Sequence, residues 1–362
     1  MTSQSEKTET AGRRLVFMTA SRSAWGAEQS LFMLADALKK RGLVVDLVCF
    51  PGTIEAEWAR LIGHPAILAD AAAPENESKI KENLILWRTY RKTARKFDRV
   101  VLFTYYLLVG VALNRVLLAG QRIKIALDLH DNLPGERGRQ LLRLFARGVQ
   151  SVVACSAFTA SQLDSVPTEV HVIHGPAEAL AVRTQPSAVK RIGILGRIVK
   201  EKQHLLLAEA VAGLSDESVL IIRGSGDGSV NDNSAEVRKY CLEVLGPRFI
   251  DEGKVEQERV LDDLDIVVVA NHQEPMGRTV LEAQLSGVFA VVPDQGGSSE
   301  LVEDQQTGRL YASGDAAQLR EVLASIDPQS DSARQICERA RQRAQHTVTP
   351  EMYADSYLLA LE

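Results

Sequence analysis

Stretches typical of buried strands alternate with stretches of helical periodicity, and this pattern runs along the chain twice. In the first series the apolar segment Arg14–Thr19 precedes a predicted helix over Gln29–Lys40, in which leucines and alanines recur at helical spacing. Further strands are predicted at Leu43–Phe50, Val100–Thr104, Ile123–Leu129, Ser151–Cys155 and Val170–Ile173. Strands that alternate with helices of this length predict βαβ units and a parallel sheet.

The second series begins after a stretch with two prolines and little periodicity. It predicts a helix at Gln203–Leu214 and strands at Arg191–Leu195, Val219–Arg223, Asp265–Ala270 and Phe289–Pro293. A chain of 362 residues is expected to form two domains, and two such series predict two Rossmann-like α/β domains. We place the N-terminal domain at 13–175, the linker at 176–189 and the C-terminal domain at 190–348. The polar residues 1–12 are predicted to be disordered.

The composition is that of a soluble globular protein, with 45% hydrophobic and 25% charged residues. The first dozen residues contain no apolar signal-peptide core, and no run of about 18 apolar residues could span a bilayer. These features, with cysteines that form no Cys-x-x-Cys pair, predict a cytoplasmic protein without disulfides or structural zinc. The four cysteines are Cys49, Cys155, Cys241 and Cys337.

Charge is divided unevenly between the two halves. Residues 1–175 carry 23 Lys and Arg against 17 Asp and Glu, whereas the remainder carries 19 against 30. A basic N-terminal half favours either an anionic partner for that half or an ordinary scatter of surface charge. The overall net charge of −5 disfavours nucleic acid as that partner.

Two carboxylates, Glu274 and Glu282, bracket the segment that carries the most chemistry. The segment follows the predicted strand Asp265–Ala270 and opens a predicted helix. Glu274 precedes a proline, which favours extended backbone and places it in the connecting loop. Gly277 lets the chain turn closely into the helix.

The start of this helix predicts a phosphate site. The N–H groups of Gly277, Arg278 and Thr279 point out of it, where an anion is favoured. Arg197 and Lys202 lie between a strand and a helix, where two cations do not help the helix itself. Either a diphosphate bound between the two side chains or a solvated charged loop would explain their presence. Together with the flanking carboxylates, they predict a nucleotide-diphosphate ligand with hydroxyl groups on both sides.

Glycine or polar residues follow several of the predicted strands. Gly196 and Gly224 each stand directly after one, and His130 follows Ile123–Leu129. In open parallel sheets, ligands bind beyond the carboxyl ends of the strands. Each residue alone also fits a simple connection, but together they predict a shared ligand crevice.

The C-terminal half resembles the retaining GT-B glycosyltransferases, specifically the large family 4 of nucleotide-sugar enzymes. The resemblance rests on Gly196-Arg197 with Lys202, Val219–Asp227, the Glu-x-x-x-x-x-x-x-Glu of Glu274–Glu282, and Gly287–Gly308. Over 1–175 it rests on Trp25–Glu28 and His130-Asp131, although two glycines are usual where Trp25-Gly26-Ala27 stands. It implies two Rossmann-like domains facing across a central cleft, and a last helix, 349–362, that packs back on the N-terminal domain.

The resemblance also implies roles for individual residues. Arg197 and Lys202 would hold the donor diphosphate and stabilise its growing charge as the glycosidic bond breaks. Glu282 would accept hydrogen bonds from the ribose, and Glu274 would reach hydroxyls of the transferred sugar. His130 would face that sugar at its 6-hydroxyl. Further contacts to the donor are implied at Gly26, Gly196, Gly224, Gly277, Arg278 and Thr279.

Retention of the anomeric configuration is likewise implied by the resemblance. No pair of carboxylates stands out as nucleophile and acid, which suits a same-face mechanism in which the leaving phosphate helps to deprotonate the acceptor. Cations in place of a metal ion imply a metal-independent hexosyltransferase, with a nucleotide sugar, UDP preferred, as co-substrate and no other cofactor. We interpret Asp263-Leu264-Asp265 as the lead-in to a strand rather than a metal-binding motif.

Two other functions are compatible with these residues. A nucleotide-sugar epimerase of the same architecture would share the phosphate site, and a non-catalytic protein could bind the nucleotide sugar without turnover. For a transferase, the acceptor would be a glycan, a lipid-linked sugar or a small molecule.

Two basic segments in the N-terminal half bear on the acceptor. Leu86–Phe97 concentrates cations with Trp, Tyr and Phe on a predicted helix, and a second basic stretch covers Arg137–Arg147. Basic amphipathic helices can lie on anionic membrane surfaces, and some members of the resembled family reach lipid-linked acceptors in this way. A solvated helix face is the alternative interpretation.

Overall fold

The computed structural model describes residues 14–21, 26–69, 79–93, 98–111, 124–133, 135–145, 148–163, 167–180 and 189–362. The chain divides into two units, one of Met1–Pro176 with Pro350–Glu362 and the other of Ala177–Thr349. The predicted disorder of residues 1–12 and most of the predicted linker lie outside the described residues.

The first unit is built on a parallel sheet. Its strands in the described residues are β1 Arg14–Met18, β2 Val44–Cys49, β3 Ile67–Leu68, β4 Arg99–Leu102, β5 Lys124–Leu129, β6 Ser151–Ala154 and β7 Val170–Val172. Their order in the sheet is β3-β2-β1-β4-β5-β6-β7, and all neighbours are parallel. The helices of this unit include Gly26–Lys40, Thr53–Ile62, Lys79–Thr93, Gly135–Phe145, Ala157–Ser161 and Pro350–Ala360.

The strands of this sheet are apolar because both of its faces are covered. Four consecutive residues of β1, Leu15–Met18, are buried, as expected for a strand between two layers of helices. The C-terminal helix supplies part of the cover, since Tyr353 and Tyr357 lie in the same apolar cluster as Phe17. The last segment of the chain therefore belongs to the core of the first unit.

The second unit repeats this architecture. Its strands are β8 Lys190–Leu195, β9 Ser218–Arg223, β10 Phe249–Gly253, β11 Ile266–Val268, β12 Phe289–Pro293 and β13 Arg309–Tyr311. They are parallel throughout, in the order β10-β9-β8-β11-β12-β13. Its α-helices are His204–Ala212, Ser234–Leu245, Arg278–Ser286, Ala316–Ser325 and Asp331–Gln345.

The prediction of two Rossmann-like α/β domains is confirmed. In the second unit the strand order reverses between β8 and β11, and ligands of doubly wound sheets bind beyond the carboxyl ends of strands at such a point. The segments that follow β8, β9 and β11 carry most of the site residues predicted from the sequence. Among the described helices, none combines the length and the apolar character needed to cross a membrane.

Candidate functional site

The turns that follow β8 and β9 pack backbone against backbone. A Cβ atom on Gly224 would lie 1.7 Å from the carbonyl oxygen of Gly196, a distance that no pair of non-bonded atoms tolerates. Gly196 has a φ of +109°, and its N–H donates to the carbonyl of Arg223 at 2.9 Å. The glycine at 224 is therefore required by this close approach, whatever its contact with a ligand.

The side chains of Lys202 and Glu274 form an ion pair between the turn after β8 and the loop after β11. Lys202 Nζ lies 2.8 Å from Glu274 Oε2 and 3.0 Å from Oε1. Asn271 Nδ2 donates to the same Oε2 at 2.8 Å. The lysine and glutamate side chains are 25% and 14% exposed, so the pair is shielded but keeps contact with solvent.

The loop that carries Glu274 is fixed by two further contacts. Gln203 Nε2 lies 2.7 Å from His272 Nδ1, which forms a second link to the turn after β8. The N–H of Gly297 donates to the backbone carbonyl of Glu274 at 2.7 Å, and a Cβ at Gly297 would lie 2.1 Å from the carbonyl oxygen of Pro275. The segments after β8, β11 and β12 thus converge on Glu274.

The charges around Glu274 favour its ionised form. Burial raises the pKa of the Glu274 carboxyl, but Lys202, the hydrogen bond from Asn271 and the charge of Arg197 outweigh burial, so the pKa lies below its ordinary value. Arg197 itself pairs with Asp227, with Nη1 2.8 Å from Oδ2. Hydrogen bonds from Ser229 and the Arg197 guanidinium hold the pKa of Asp227 below its usual range.

The two cations predicted to bind phosphate thus have carboxylate partners, and their charges act on the same group, Glu274. His204, which begins the helix after Lys202, is buried beside them. Burial and the Lys202 charge lower its pKa to about 4, so its imidazole is neutral near neutral pH. The structure therefore pairs Lys202 with Glu274, within reach of the Arg197 charge, and places a neutral histidine near Lys202.

The helix Arg278–Ser286 begins as the sequence predicts. Its N-cap is Gly277, whose φ of +97° is a left-handed conformation that glycine adopts without strain. The N–H of Val280 donates to the carbonyl of Gly277 at 2.8 Å. The N–H groups of Gly277, Arg278 and Thr279 precede it, at the helix end whose partial positive charge favours an anion.

Glu282 lies one turn into this helix and is almost fully buried. Its Oε1 accepts hydrogen bonds from Arg278 Nε at 2.8 Å and from Gln257 Nε2 at 3.0 Å, whereas Oε2 makes neither bond. The sequence assigned Arg278 a role through its backbone only. The structure gives its guanidinium a second role, because the pair one helical turn apart orients the Glu282 carboxylate.

His130 and Gly26 are the predicted site residues that lie in the first unit. His130 follows β5 directly, and its Nε2 lies 2.9 Å from Asp128 Oδ1. Asp128 Oδ2 accepts a hydrogen bond from the Tyr357 hydroxyl at 2.7 Å, and the Phe103 ring lies against the imidazole with centroids 4.6 Å apart. Burial lowers the pKa of His130, but Asp128 raises it, and the pKa lies above its usual 6.5.

Gly26 is the first residue of the helix that follows β1. Glu28, in the first turn of that helix, accepts a hydrogen bond from Ser21 Oγ at 2.5 Å. Trp25 lies outside the described residues. The contact of Gly26 with a donor stays a prediction.

In the predicted basic segment Leu86–Phe97, the aromatic residues that the structure describes lie in the core, and residues 94–97 lie outside the described residues. Trp87 and Tyr90 are buried, and Trp87 Nε1 donates to the carbonyl of Leu107 at 2.9 Å. The helix Gly135–Phe145 differs, because Leu144 is 65% exposed there. In the described residues, no three His, Cys, Asp or Glu side chains come together as a possible metal site.

Several contributors to the site were not found from the sequence. Asn271 and Gln257 orient the two glutamates, and Tyr357 holds Asp128. Asn271 comes shortly after β11 and carried a usable signal, since polar residues after strands mark ligand crevices. Gln257 and Tyr357 carried none, because both meet their partners only through the tertiary fold.

Two family models match the chain, one in each unit. Residues 25–178 match the family described as Glycosyltransferase Family 4, and residues 189–326 match the family described as Glycosyl transferases group 1. The chain therefore has the domain composition of a glycosyltransferase.

Individual relatives agree with these matches. A D-inositol 3-phosphate glycosyltransferase of Saccharomonospora viridis is 27% identical over 181 residues, which are 47% of this chain and 42% of the relative. Granule-bound starch synthase 1 of Pisum sativum is 27% identical over 125 residues, 34% of this chain and 20% of the relative. The matched region thus spans less than half the length of either curated relative.

Solved structures show the same fold along nearly the whole chain. Anabaena Alr3699/HepE, in its crystal structure with UDP and glucose, superposes with a TM-score of 0.81 over 96% of this chain and 98% of that chain, at 20% sequence identity. The sucrose-phosphate synthase of Thermosynechococcus elongatus superposes with a TM-score of 0.80 over 96% of this chain and 98% of that chain, at 16% sequence identity. The fold is that of the GT-B glycosyltransferases.

Proposed function

We propose that this chain, both of whose units match glycosyltransferase families, transfers a hexose from a nucleoside-diphosphate sugar to an acceptor. We further propose that the reaction retains the anomeric configuration, needs no metal ion and uses no other cofactor. The observation that carries the proposal is the convergence of Lys202, Glu274 and the charge of Arg197 at the switch point of the second sheet.

Donor binding would exchange the partners of the two cations. A pyrophosphate carries more negative charge and more acceptor oxygens than a carboxylate, so it competes with Asp227 for Arg197 and with Glu274 for Lys202. The released Glu274 carboxylate then accepts hydrogen bonds from hydroxyls of the transferred sugar. This exchange avoids the cost of leaving a shielded charge without a partner.

The same groups would lower the barrier to bond cleavage. Negative charge grows on the diphosphate as the glycosidic bond breaks, and fixed cations stabilise that charge more than they stabilise the ground state. The N–H groups of Gly277, Arg278 and Thr279 add donors at the helix N-terminus. With the phosphates there, Oε2 of Glu282, which bonds neither Arg278 nor Gln257, would accept hydrogen bonds from the ribose hydroxyls.

The remaining steps concern the sugar and the acceptor. The leaving phosphate would take the proton of the acceptor hydroxyl on the same face of the sugar, which accounts for retention without a covalent intermediate. His130, whose pKa lies above 6.5, would donate a hydrogen bond to a hydroxyl of the transferred sugar. UDP is our preferred nucleotide, because the HepE structures contain UDP or UDP-glucose.

The acceptor is proposed to be a glycan, a lipid-linked sugar or a small molecule in polysaccharide-type biosynthesis in the cytoplasm. The exposed Leu144, beside the exposed Arg143 on one helix, supports contact with an anionic membrane surface. Flotation with phosphatidylserine vesicles tests this contact. The full chain should float, Leu144→Ser should float less, and pure phosphatidylcholine should capture neither.

A thermal-shift screen against UDP, GDP, ADP and their sugars tests the donor site, because a ligand that binds the native state raises the melting temperature. We expect UDP or GDP compounds to shift the wild type and Lys202→Ala to abolish the shift. Lys239→Ala, an exposed lysine in the same unit, is the matched control. If no nucleotide shifts the wild type, the donor site is wrongly assigned.

Product analysis then separates the possible reactions. A transferase forms a new glycoside from the nucleotide sugar and an acceptor, and NMR coupling at the anomeric carbon reports whether the configuration is retained. An epimerase would convert the nucleotide sugar with no acceptor present. A binding protein would show a higher melting temperature with nucleotide but would convert no nucleotide sugar. The epimerase result or the binding-protein result would refute the proposed transfer.

A further inference from the structure

We propose that Asp128 and Tyr357 form a buried relay that fixes the ring orientation and tautomer of His130, and thus act as positioning residues for sugar transfer. The relay rests on the proposed function for its consequence, since His130 is the group that would touch the sugar. Its geometry lies entirely within the first unit.

The relay starts at the end of β5. Asp128 is in β5, and His130 directly follows the last residue of that strand. Asp128 is completely buried, and the His130 side chain is only 5% exposed. The two oxygens of the carboxylate are divided between two neighbours, with Oδ1 2.9 Å from His130 Nε2 and Oδ2 bound by the Tyr357 hydroxyl at 2.7 Å.

Tyr357 comes from the C-terminal helix, 229 residues further along the chain. Its ring is packed against Phe17 and Tyr353, with centroids 6.4 and 5.6 Å away, inside an otherwise apolar cluster. Apolar side chains of similar volume serve stability at least as well as buried charged groups in such a place. A carboxylate held there by a tyrosine and facing a histidine therefore points to a role beyond packing.

The contact decides which ring nitrogen of His130 serves the ligand. Nε2 faces Asp128, so a proton on Nε2 is stabilised and Nδ1 is the nitrogen left for a sugar hydroxyl. His130 Nε2 and Asp128 Oδ1 lie 2.9 Å apart, but their angles are not those of a hydrogen bond, and neither atom has another hydrogen-bond partner among the described residues. Catalytic contacts are commonly misaligned before the ligand binds and tighten in the complex.

Other groups near the relay act in the same direction. Asp131 and Glu28 add negative charge that raises the pKa of His130 along with Asp128. Tyr353 and Cys155 are close to Asp128 but stay neutral, because burial raises the pKa of both, that of Cys155 to about 12. These charges therefore favour the imidazolium form, which donates from Nδ1.

The first test is the titration of His130 itself, followed by NMR on the full chain with isotope-labelled histidine and assigned with His130→Gln. In Asp128→Asn the charge is lost and the amide can face Nε2 as a donor, which favours the opposite tautomer. We expect the pKa of His130 to fall in this variant relative to the wild type, because the charge that raises it most is gone and burial lowers it. An unchanged pKa would overturn the relay.

The second test separates positioning from packing. Tyr357→Phe removes only the hydroxyl that holds Asp128, and Tyr353→Phe is its matched control on the same helix and in the same cluster. We expect kcat to fall about tenfold or more in Tyr357→Phe, with KM for the nucleotide sugar unchanged, because a small misplacement of a reacting group is costly. Tyr353→Phe should keep the wild-type kcat. Equal losses in the two variants would refute the relay.

The pH profile gives a readout that a packing role would not move. The wild-type kcat should fall as pH rises through the pKa of His130, and in Asp128→Asn this fall should shift to lower pH together with the NMR titration. If the wild type transfers no sugar at all, the proposed function fails, whereas the titration of His130 still decides the relay.

Discussion

Replacing Lys202 by methionine tests whether the ion pair keeps the shielded Glu274 carboxylate stable. In the wild type the carboxylate receives two contacts from Lys202 and one from Asn271, and the substitution leaves only the last. Breaking a buried ion pair from one side costs about 3–5 kcal/mol. Because the lysine is 25% exposed, water can hydrogen-bond to the Glu274 carboxylate in its place. We therefore expect the free energy of unfolding to fall by about 1–3 kcal/mol at neutral pH.

The sign of the pH dependence follows from the pKa of Glu274. The wild-type pKa is lowered, so the pair stabilises the fold above the ordinary pKa of a glutamate, and this stability is lost as pH falls through the folded pKa. In Lys202→Met, only the hydrogen bond from Asn271 and the charge of Arg197 oppose burial, so the pKa of Glu274 rises relative to the wild type. The difference from the wild type is therefore largest near neutral pH and vanishes in acid, where Glu274 is protonated in both.

Calorimetric melting of the second unit measures this effect. One kcal/mol shifts the melting temperature of a domain this size by about 2–4 °C, so we expect a loss of about 2–12 °C in Lys202→Met. In a Glu274→Gln background, Lys202→Met should lower the melting temperature much less, because no shielded charge is left without a partner. An equal cost in both backgrounds, or a cost that does not shrink in acid, would refute the reasoning.

Three further substitutions test other parts of the site. Arg197→Ala should lower kcat on the order of a hundredfold, measured as turnover of nucleotide sugar, because a cation that stabilises the leaving group is lost. Arg278→Gln should raise KM for the donor with little change in kcat, because the Glu282 carboxylate loses its orienting partner but the phosphate cations remain. Gly224→Ala should have a melting temperature several degrees lower than that of Gly213→Ala. The new Cβ at position 224 would lie 1.7 Å from a backbone oxygen, which cannot move away, whereas the Cβ at position 213 would lie 2.4 Å from a flexible arginine side chain.

The central strands were predictable from the sequence because both faces of each sheet are buried. β1, β8 and β12 form apolar runs for this reason. The strands that were missed, β3, β10 and β13, lie at the edges of their sheets. An edge strand needs less apolar surface, and Phe249–Gly253 even contains two exposed acidic residues, so its sequence resembles a loop.

The site was predictable only in part. Gly196, Lys202 and Glu274 could be expected to converge because a parallel sheet brings its strand ends to one edge. The partners of the charged groups could not be predicted, since Lys202 meets Glu274 across 72 residues and Tyr357 meets Asp128 across 229. Nothing local in the sequence records such contacts.

A crystal structure of the chain with UDP bound is the most direct test of the central claim. We predict that the phosphates lie at the N-terminus of the helix Arg278–Ser286 and replace Asp227 and Glu274 as the partners of Arg197 and Lys202. UDP bound elsewhere, with both of these ion pairs intact, would contradict the account.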